Sequence, residues 1–348
     1  MSIIVVSDIH LGSESSKHDD FSKFLDWLAE LEKKGGESIR SGGKEVRLNP
    51  PEKLILLGDI LELWAPKDNN IKYTVQEAIE PFTKLMNLKC EKIFVLGNHD
   101  ENVSKYLDKF KLREDYPVYK HSFGIKKNFT LINRHYPEDP HDKEKGFLQV
   151  GARKYFFLHG QQFDKMFLLV GPLAKIPTKT AEISGAFSNI FPMNGWSIVV
   201  LFVISSAAYM IWKNDILLTI SVGSFLLSIP RLFTYLQDKV WSRLKWYVED
   251  RPKYSDVETI IEKKYYDFDK DKTGDDVNFV FGHTHVPEIY EHTFHKNDKD
   301  YRMLFVNSGS WVIEKDYTHN TFVYIDESGV YLFRWNVGGN VELLKDVI

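Results

Sequence analysis

Ile93-Phe94-Val95-Leu96-Gly97-Asn98-His99-Asp100 is a run of four apolar residues that stops at a glycine and gives way to an amide, an imidazole and a carboxylate. A short apolar run bounded in this way reads as a buried strand whose mouth carries polar side chains. The same pattern occurs twice upstream: residues 3–7 precede Asp8, and residues 54–57 precede Gly58-Asp59. Between the first two runs, Phe21, Phe24, Leu25 and Leu28 keep helical spacing; between the second and third, Val75, Ile79, Phe82 and Leu85 do so. Alternating strand, helix and strand predicts an α/β layered fold. The polar, Gly-rich stretch from Lys33 to Lys44 reads as a surface loop. Farther along, residues 129–132, 155–158, 279–281, 303–306, 322–325 and 331–335 read as strands with few helices between them. The expected body is therefore two packed β-sheets flanked by helices.

The 348 residues suffice for two or three domains, or for one domain with a large insertion. With 43% hydrophobic and 27% charged residues the chain can bury a sizeable core, which excludes a disordered or fibrous protein. A net charge of -4 shows no basic excess, so no specific nucleic-acid partner is expected. The single Cys90 can make neither an intramolecular disulfide nor a thiolate metal site alone, which points to a reducing compartment. Met1 leads directly into the first apolar run, without the basic stretch of a secretory signal.

The stretch from about Met166 to Tyr265 interrupts this pattern, leaving a body of residues 1–165 and 266–348 around an inserted segment, 166–265. Residues 183–212 are thirty positions without a charge, and residues 216–230 add fifteen more after Lys213-Asn214-Asp215. A helix that spans a membrane needs about 20 apolar residues. The first run meets that length from Trp196 to Trp212, with aromatics at its ends as in an interfacial belt; the second is short. Leu232, Leu236, Val240, Leu244 and Val248 then recur every four residues among Arg231, Lys239, Arg243 and Lys245. That is the pattern of a basic amphipathic helix on anionic lipid. The expectation is a hydrophobic helical hairpin in contact with the lipid bilayer. The alternatives are a buried hairpin in a soluble cap or a dimer interface. Positive residues gather on the body side (Lys165, Lys175, Lys179, Arg231, Lys239, Arg243, Lys245) against Lys213 alone at the tip. The expected location is thus the membrane, with the body on the cytoplasmic side.

Five blocks carry the chemistry: Asp8-Ile9-His10, Gly58-Asp59, Gly97-Asn98-His99-Asp100, His159-Gly160 and Gly282-His283-Thr284-His285. Each sets a chelating residue at the end of an apolar run, where loops of layered α/β folds build their sites. Carboxylate, imidazole and amide oxygen together suit Mn, Zn, Fe or Mg rather than a soft metal. Singly, each block is unspecific. In this order the five resemble the calcineurin-like metallophosphoesterase superfamily, over about residues 1–164 and 275–311 and including Asn307-Ser308-Gly309-Ser310. The resemblance implies a four-layer αββα sandwich, with the hairpin inserted into it, and two divalent metal ions, Mn being the first expectation. It implies that Asp8, His10, Asp59 and His285 hold one ion and that Asp59, Asn98, His159 and His283 hold the other, with Asp59 bridging. His99 then stands free beside the pair as a catalytic group. Asp100 is a candidate to orient it, because an imidazole needs its other nitrogen fixed; a capping role is the alternative.

Two cations about 3.5–4 Å apart can share one hydroxide and clamp the phosphoryl oxygens during in-line displacement, so the reaction needs no protein nucleophile. The expected activity is a membrane-associated phosphoesterase or pyrophosphatase acting on an amphipathic, lipid- or nucleotide-linked substrate. A tethered phosphodiesterase or nuclease with a soluble substrate is the alternative, and a catalytically silent membrane scaffold is disfavoured by the intact blocks. Ser7-Asp8-Ile9-His10-Leu11-Gly12 and Gly58-Asp59-Ile60-Leu61-Glu62-Leu63-Trp64 look like the UDP-2,3-diacylglucosamine hydrolases. That group carries Arg where this chain has His99, and a shorter, less hydrophobic cap, so the substrate does not follow.

Overall fold

The computed structural model describes residues 1–41, 43–100, 103, 128–133, 135–137, 146–163, 195–222, 224–225, 257–264, 277–296, 298–314 and 318–348. The chain divides into two compact units, Met1–Phe163 with Asp256–Ile348, and Asp164–Ser255.

The first unit is built on β1 (Ile3–Val6), whose four residues are all buried. It pairs in parallel with β4 (Lys53–Leu57), Val5 opposite Ile55. β4 pairs in parallel with β5 (Glu91–Leu96), and β5 with β6 (Phe129–Asn133). On the other side of β1 lie the antiparallel β13 (Thr321–Ile325), β14 (Val330–Asn336) and β15 (Asn340–Val347). Among the described residues the resulting sheet has seven strands and faces a second one of six. There β9 (Arg153–Leu158) and β12 (Lys299–Asn307) flank β10 (Val277–Phe281) in parallel, and β11 (Glu288–Lys296) closes one edge.

Strands buried on both faces explain why these runs read as continuous apolar stretches rather than alternations. Ile3, Val5, Ile55, Leu57 and Ile93 point between the sheets toward Val280, Leu304 and Val306. Ile4, Val6, Leu54, Leu56 and Phe94 point the other way, onto α1 (His18–Lys34) and α2 (Ile71–Asn87). The structure thus supplies a helix layer and two sheets. On the far side, α4 (Val257–Lys264) packs against the turn Gln161–Phe163, and Phe163 meets Phe281 edge to face.

The helix of residues 18–34 buries Phe21, Phe24, Leu25 and Leu28, the face expected from spacing. It begins with Asp19 and Asp20 and ends with Lys33 and Lys34 before Gly35 at φ 71°, each sign of charge placed where the helix dipole favours it. On α2 the buried face is rotated to Thr74, Ala78, Phe82 and Leu85, leaving Val75 and Ile79 half-buried. Thr74 is drawn inward because its hydroxyl donates to the Glu62 carbonyl at 2.6 Å. The stretch read as a surface loop from Lys33 to Lys44 is a correction. It contributes β2 (Glu37–Ser41), which turns back on β3 (Lys44–Leu48) with Ile39 opposite Val46, both buried.

In the second unit, α3 (Gly195–Trp212) has no acidic or basic residue in its first or last turn. Its 18 residues rise about 27 Å, against a hydrocarbon core of about 30 Å. Among the described residues no helix is long and apolar enough to cross a membrane. α3 stops at Lys213, whose φ of 48° turns the chain into a second helical segment over 215–222. The Asn214 side chain accepts from the Ile216 N–H at 2.9 Å and so caps that segment. The two helical segments touch through Ser206 and Ser221, hydroxyl to hydroxyl at 2.6 Å, and through the rings of Phe202 and Phe225. The expected start of the uncharged run, 183–194, and the expected basic amphipathic helix, 231–248, lie outside the described residues.

Candidate metal centre

All five chelating blocks sit at the carboxyl ends of strands: Asp8 and His10 after β1, Asp59 after β4, Asn98 and His99 after β5, His159 after β9, His283 and His285 after β10. Their loops are tied to each other by main-chain hydrogen bonds. The Asp59 carbonyl accepts from both Ile9 and His10 at 2.9 Å, and the His159 carbonyl accepts from Gly282 at 2.8 Å. Asp8, His10, Asp59, His283 and His285 all have φ between 50° and 70°, a left-handed conformation that non-glycine residues rarely adopt. Each costs on the order of 1–3 kcal/mol, a strain that persists where surrounding structure over-determines a site. The close approach leaves no room at the flanking glycines. A Cβ on Gly58 would stand 2.3 Å from His159 Nδ1, and one on Gly97 would stand 2.2 Å from Asp59 Oδ1.

The side chains form two groups able to hold an ion, Asp8–His10–His285 and Asp59–His159–His283. Asp59 stands between them, its Oδ2 3.1 Å from His159 Nε2 and 3.8 Å from His10 Nε2. His285 Nε2 is 3.3 Å from Asp8 Oδ1, and His283 Nδ1 is 3.3 Å from His159 Nε2. Among the candidate ligands, three buried atoms make no hydrogen bond: Asp8 Oδ1, His10 Nε2 and Asn98 Oδ1. Unsatisfied buried polar atoms are costly, and here they are all potential metal donors. This donor set fits a pair of divalent cations of the Mn, Zn, Fe or Mg type.

The outer nitrogens are fixed by residues that the ligand blocks do not contain. His159 Nδ1 donates to the Leu57 carbonyl at 2.9 Å, His10 Nδ1 to Glu62 Oε2 at 2.8 Å and His285 Nδ1 to Glu314 Oε1 at 2.6 Å. In each case the proton on Nδ1 leaves the Nε2 lone pair for an ion. Behind Asp8, the Ser7 hydroxyl bonds Asp8 Oδ2 and Ser308 Oγ, and the His283 N–H donates to the same Oδ2 at 2.9 Å. Oδ1 is thereby left to face the cluster.

His99 takes a different place. Its N–H donates to Asp59 Oδ1 at 2.8 Å, and its Nδ1 donates to Glu62 Oε1 at 2.8 Å. Trp64 lies against its ring, with centroids 4.8 Å apart. Glu62 thus accepts from His10 with one oxygen and from His99 with the other. His10, Glu62 and His99 also bring three donor atoms within 4.8 Å of one another. Separations of 2.8 Å are those of direct hydrogen bonds, whereas ligands about 2.1 Å from a common ion stand roughly 3 Å or more apart, so this group is a clamp.

The expectation that Asp100 orients His99 is a correction. Its carboxylate is buried and accepts from the Ile60 N–H at 2.8 Å and the Gly97 N–H at 2.6 Å, closing the turn that carries Asn98 and His99. The residue on His99 Nδ1 is Glu62. Sequence reasoning assigned no role to Glu62 or Glu314, because a Glu three residues after Gly-Asp, or three after a Trp, carries no ligand signature; only the convergence of loops reveals them.

Carboxylates and imidazoles of the centre hold one another in their charged forms. Burial pushes Asp59 and Asp8 upward, but the surrounding imidazoles outweigh it and hold both below the usual carboxylate value, Asp59 well below. Glu62 is likewise held far below its ordinary value by His99 and His10, against burial. Burial opposes the charged imidazole, yet Asp59 and Asp8 bring His159 up to about 9, and Asp8 with Glu314 brings His285 up to about 10. Burial and the Asp59 charge bring Asp100 up to about 7. Metal-free protein at pH 7.5 therefore carries protons on His159 and His285 that a cation must displace. Adding Mn to unbuffered, metal-free protein at pH 7.5 is expected to release protons in a pH-stat, and less of them as the starting pH rises past 9. Metal binding without proton release would show that the imidazoles are not ligands.

Among known proteins, the family model of calcineurin-like phosphoesterases matches residues 1–313. No curated protein matches significantly. Two solved structures show weak likeness. The phosphoesterase YfcE from E. coli is 13% identical, with 100% of this chain and 98% of that chain covered at a TM-score of 0.38. A dimetal phosphatase from Danio rerio is 10% identical, covering 99% and 98% at a TM-score of 0.34. Likeness at that level adds nothing to the family match. That match spans every chelating block gathered at the strand ends, and the chain belongs to the calcineurin-like phosphoesterase family, whose metal-dependent hydrolase chemistry its buried donor set is fitted to carry.

Proposed function

We propose that the chain hydrolyses the phosphodiester or phosphoanhydride bond of an amphipathic, lipid- or nucleotide-linked substrate at a membrane surface, with its body on the cytoplasmic side. The observation that carries the reaction class is the pair of donor groups with Asp59 Oδ2 between them, and with His99 held apart from both by Glu62. When bound, the metal pair supplies an activated water and neutralises phosphoryl charge. Asp8, His10, Asp59 and His285 would hold one ion, and Asp59, Asn98, His159 and His283 the other.

His99 does the remaining work. Its side chain is 23% exposed, against 17% for His285, 8% for His10 and none for His159, so a substrate can reach it. Burial lowers its pKa, but Asp59 and Glu62 raise it to about 9, so it carries a proton at neutral pH. With Nδ1 bound to Glu62, Nε2–H is free to donate to a phosphoryl oxygen or to the leaving oxygen. Trp64 packs against the ring at an interplanar angle of 55°.

The membrane and substrate parts of the reading rest on the uncharged stretches of 183–212 and 216–230, on the basic residues flanking them, and on the point of insertion just after His159. They are supported further by the similarity of residues 7–12 and 58–64 to hydrolases of UDP-2,3-diacylglucosamine. Mn is the first metal to try. Burial of an acyl or isoprenoid tail contributes about 0.8 kcal/mol per CH₂, against roughly 0.5–1.5 kcal/mol for one head-group hydrogen bond. kcat/KM across one head group with lengthening tails, in mixed micelles at fixed surface fraction, is expected to rise by up to about fourfold per methylene. A flat response together with efficient cleavage of cyclic nucleotides or single-stranded DNA would favour a tethered phosphodiesterase with a soluble substrate.

A further inference from the structure

In a helical hairpin made for water, apolar side chains fill the seam and polar ones face out. Residues 195–225 are arranged the other way round. Among their described side chains, the buried ones are Ser205 at 4%, Ser221 at 8% and Ser224 at 4% exposure, and no hydrophobic residue of this stretch belongs to the buried core. Ser206 meets Ser221 across the seam at 2.6 Å, and the Ser224 hydroxyl donates back to the Ile220 carbonyl at 2.6 Å, so hydroxyls are satisfied inside the pair. The outside carries Val200, Val203, Ile204, Met210, Ile211 and Ile216, the last three 70–73% exposed.

At about 100° per residue, exposed Val200, Val203, Ile204, Ala207, Met210, Ile211 and Trp212 spread over more than a third of the circumference of α3. The same holds for Ile216, Leu218, Ile220 and Val222 on the facing helical segment. A protein partner would cover one face; an apolar shell on both members of the pair calls for a solvent that is itself apolar. Close approach through small residues with hydroxyls bonded across the seam is how helices associate where no hydrophobic effect drives them together. The turn ends in Lys213 over the ring of Tyr209, with Trp212 exposed beside it, side chains that suit a lipid–water boundary.

We infer that residues 195–225 are an inside-out helix pair that seats in lipid hydrocarbon, its serines forming the seam and its apolar side chains facing acyl chains. This names the partner of the membrane association proposed above and rests on that reading. The shell is made of lipid-soluble side chains without a charge from 195 to 212, so neutral lipid suffices for insertion.

The test uses full-length protein bearing a single nitrobenzoxadiazole label. Cys90 is buried, and its thiol is pushed up to about 12 by burial, so an introduced cysteine reacts in its place. Labels are placed at Val203→Cys and Ile211→Cys, and at Val337→Cys as an exposed position of the body. Neutral phosphatidylcholine vesicles are expected to shift the emission of the first two to the blue and leave the third unchanged, and chain-labelled nitroxide lipids to quench the first two. Silence at 203 and 211 would overturn the inference. So would an equal response at 337, or a blue shift that grows with protein concentration without vesicles, which would mean that a second copy covers the shell. Hydrolysis of bis-p-nitrophenyl phosphate by the same Mn-loaded samples separates the two readings. Turnover with a silent hairpin sinks insertion alone, and a responsive hairpin without turnover sinks the phosphoesterase reading alone.

Discussion

Asp59→Ala is expected to abolish hydrolysis and to strip the protein of most of its bound metal, whereas His99→Ala slows turnover by about 10²–10⁴-fold with metal content nearly intact. The contrast follows from position. Asp59 Oδ2 lies between His159 and His10, so its loss removes a donor from both groups at once, while Oδ1 also holds the His99 N–H. His99 gives its Nδ1 to Glu62 and stands in neither Asp8–His10–His285 nor Asp59–His159–His283. Metal content by atomic spectroscopy, alongside kcat on a chromogenic phosphodiester, checks both variants. Equal loss of metal in the two would show that His99 is a ligand and would reverse its assigned role.

The second large effect is expected at Glu62. Its carboxylate accepts two imidazole Nδ1–H donors, from a candidate metal ligand and from the candidate proton donor, and its Oε1 also takes the Trp64 and Ala65 N–H groups at 3.0 and 2.7 Å. A glutamine has one acceptor oxygen and one donor nitrogen, so it cannot accept from both rings. One of them must then accept at Nδ1 and keep its proton on Nε2: for His10 that turns an N–H toward the ion, and for His99 it leaves a neutral ring that is a weaker acid toward the leaving oxygen. Loss of such outer partners typically costs 10–100-fold in metal affinity or activity. Because Glu62→Gln disturbs two groups with different tasks, it is expected to lower kcat beyond that range and to weaken Mn binding at the same time. His99→Ala leaves Mn binding alone. Placing Glu62→Gln on top of His99→Ala should therefore reproduce only the metal defect. Full additivity of the two kcat losses would show that Glu62 acts independently of His99. Circular dichroism would register a merely unfolded variant, since Glu62 also anchors the turn over 62–65.

The strand ends were legible in the sequence because both sides of these sheets are buried. Residues 3–6, 54–57 and 93–96 had to be continuous apolar runs, and a chelating residue directly after each run had to emerge at a sheet edge. The face of α1 was legible for a similar reason, since the 3.6-residue period of Phe21, Phe24, Leu25 and Leu28 is a property of the chain itself. The pairing of Ile39 with Val46 was not. Two apolar residues in polar strands become a buried contact only when the chain folds back, and a Gly-rich stretch then reads as loop.

The same limit applies to the metal centre. Residue types decide what can be a ligand, because oxygen and imidazole donors are set by composition, and the family follows from their order. What fixes each ligand was decided by the tertiary structure alone. Asp100 is next to His99 in the chain yet spends its carboxylate on the Ile60 and Gly97 N–H groups, while Glu62 reaches His99 across 37 positions. A hydrogen bond depends on where a side chain points, and at these turns neighbouring residues point apart. In the inserted unit, hydropathy alone revealed an uncharged stretch; which side chains face inward depended on packing. The serines enter the seam because small side chains let the helices approach, and their hydroxyls find each other there, leaving the apolar residues outside.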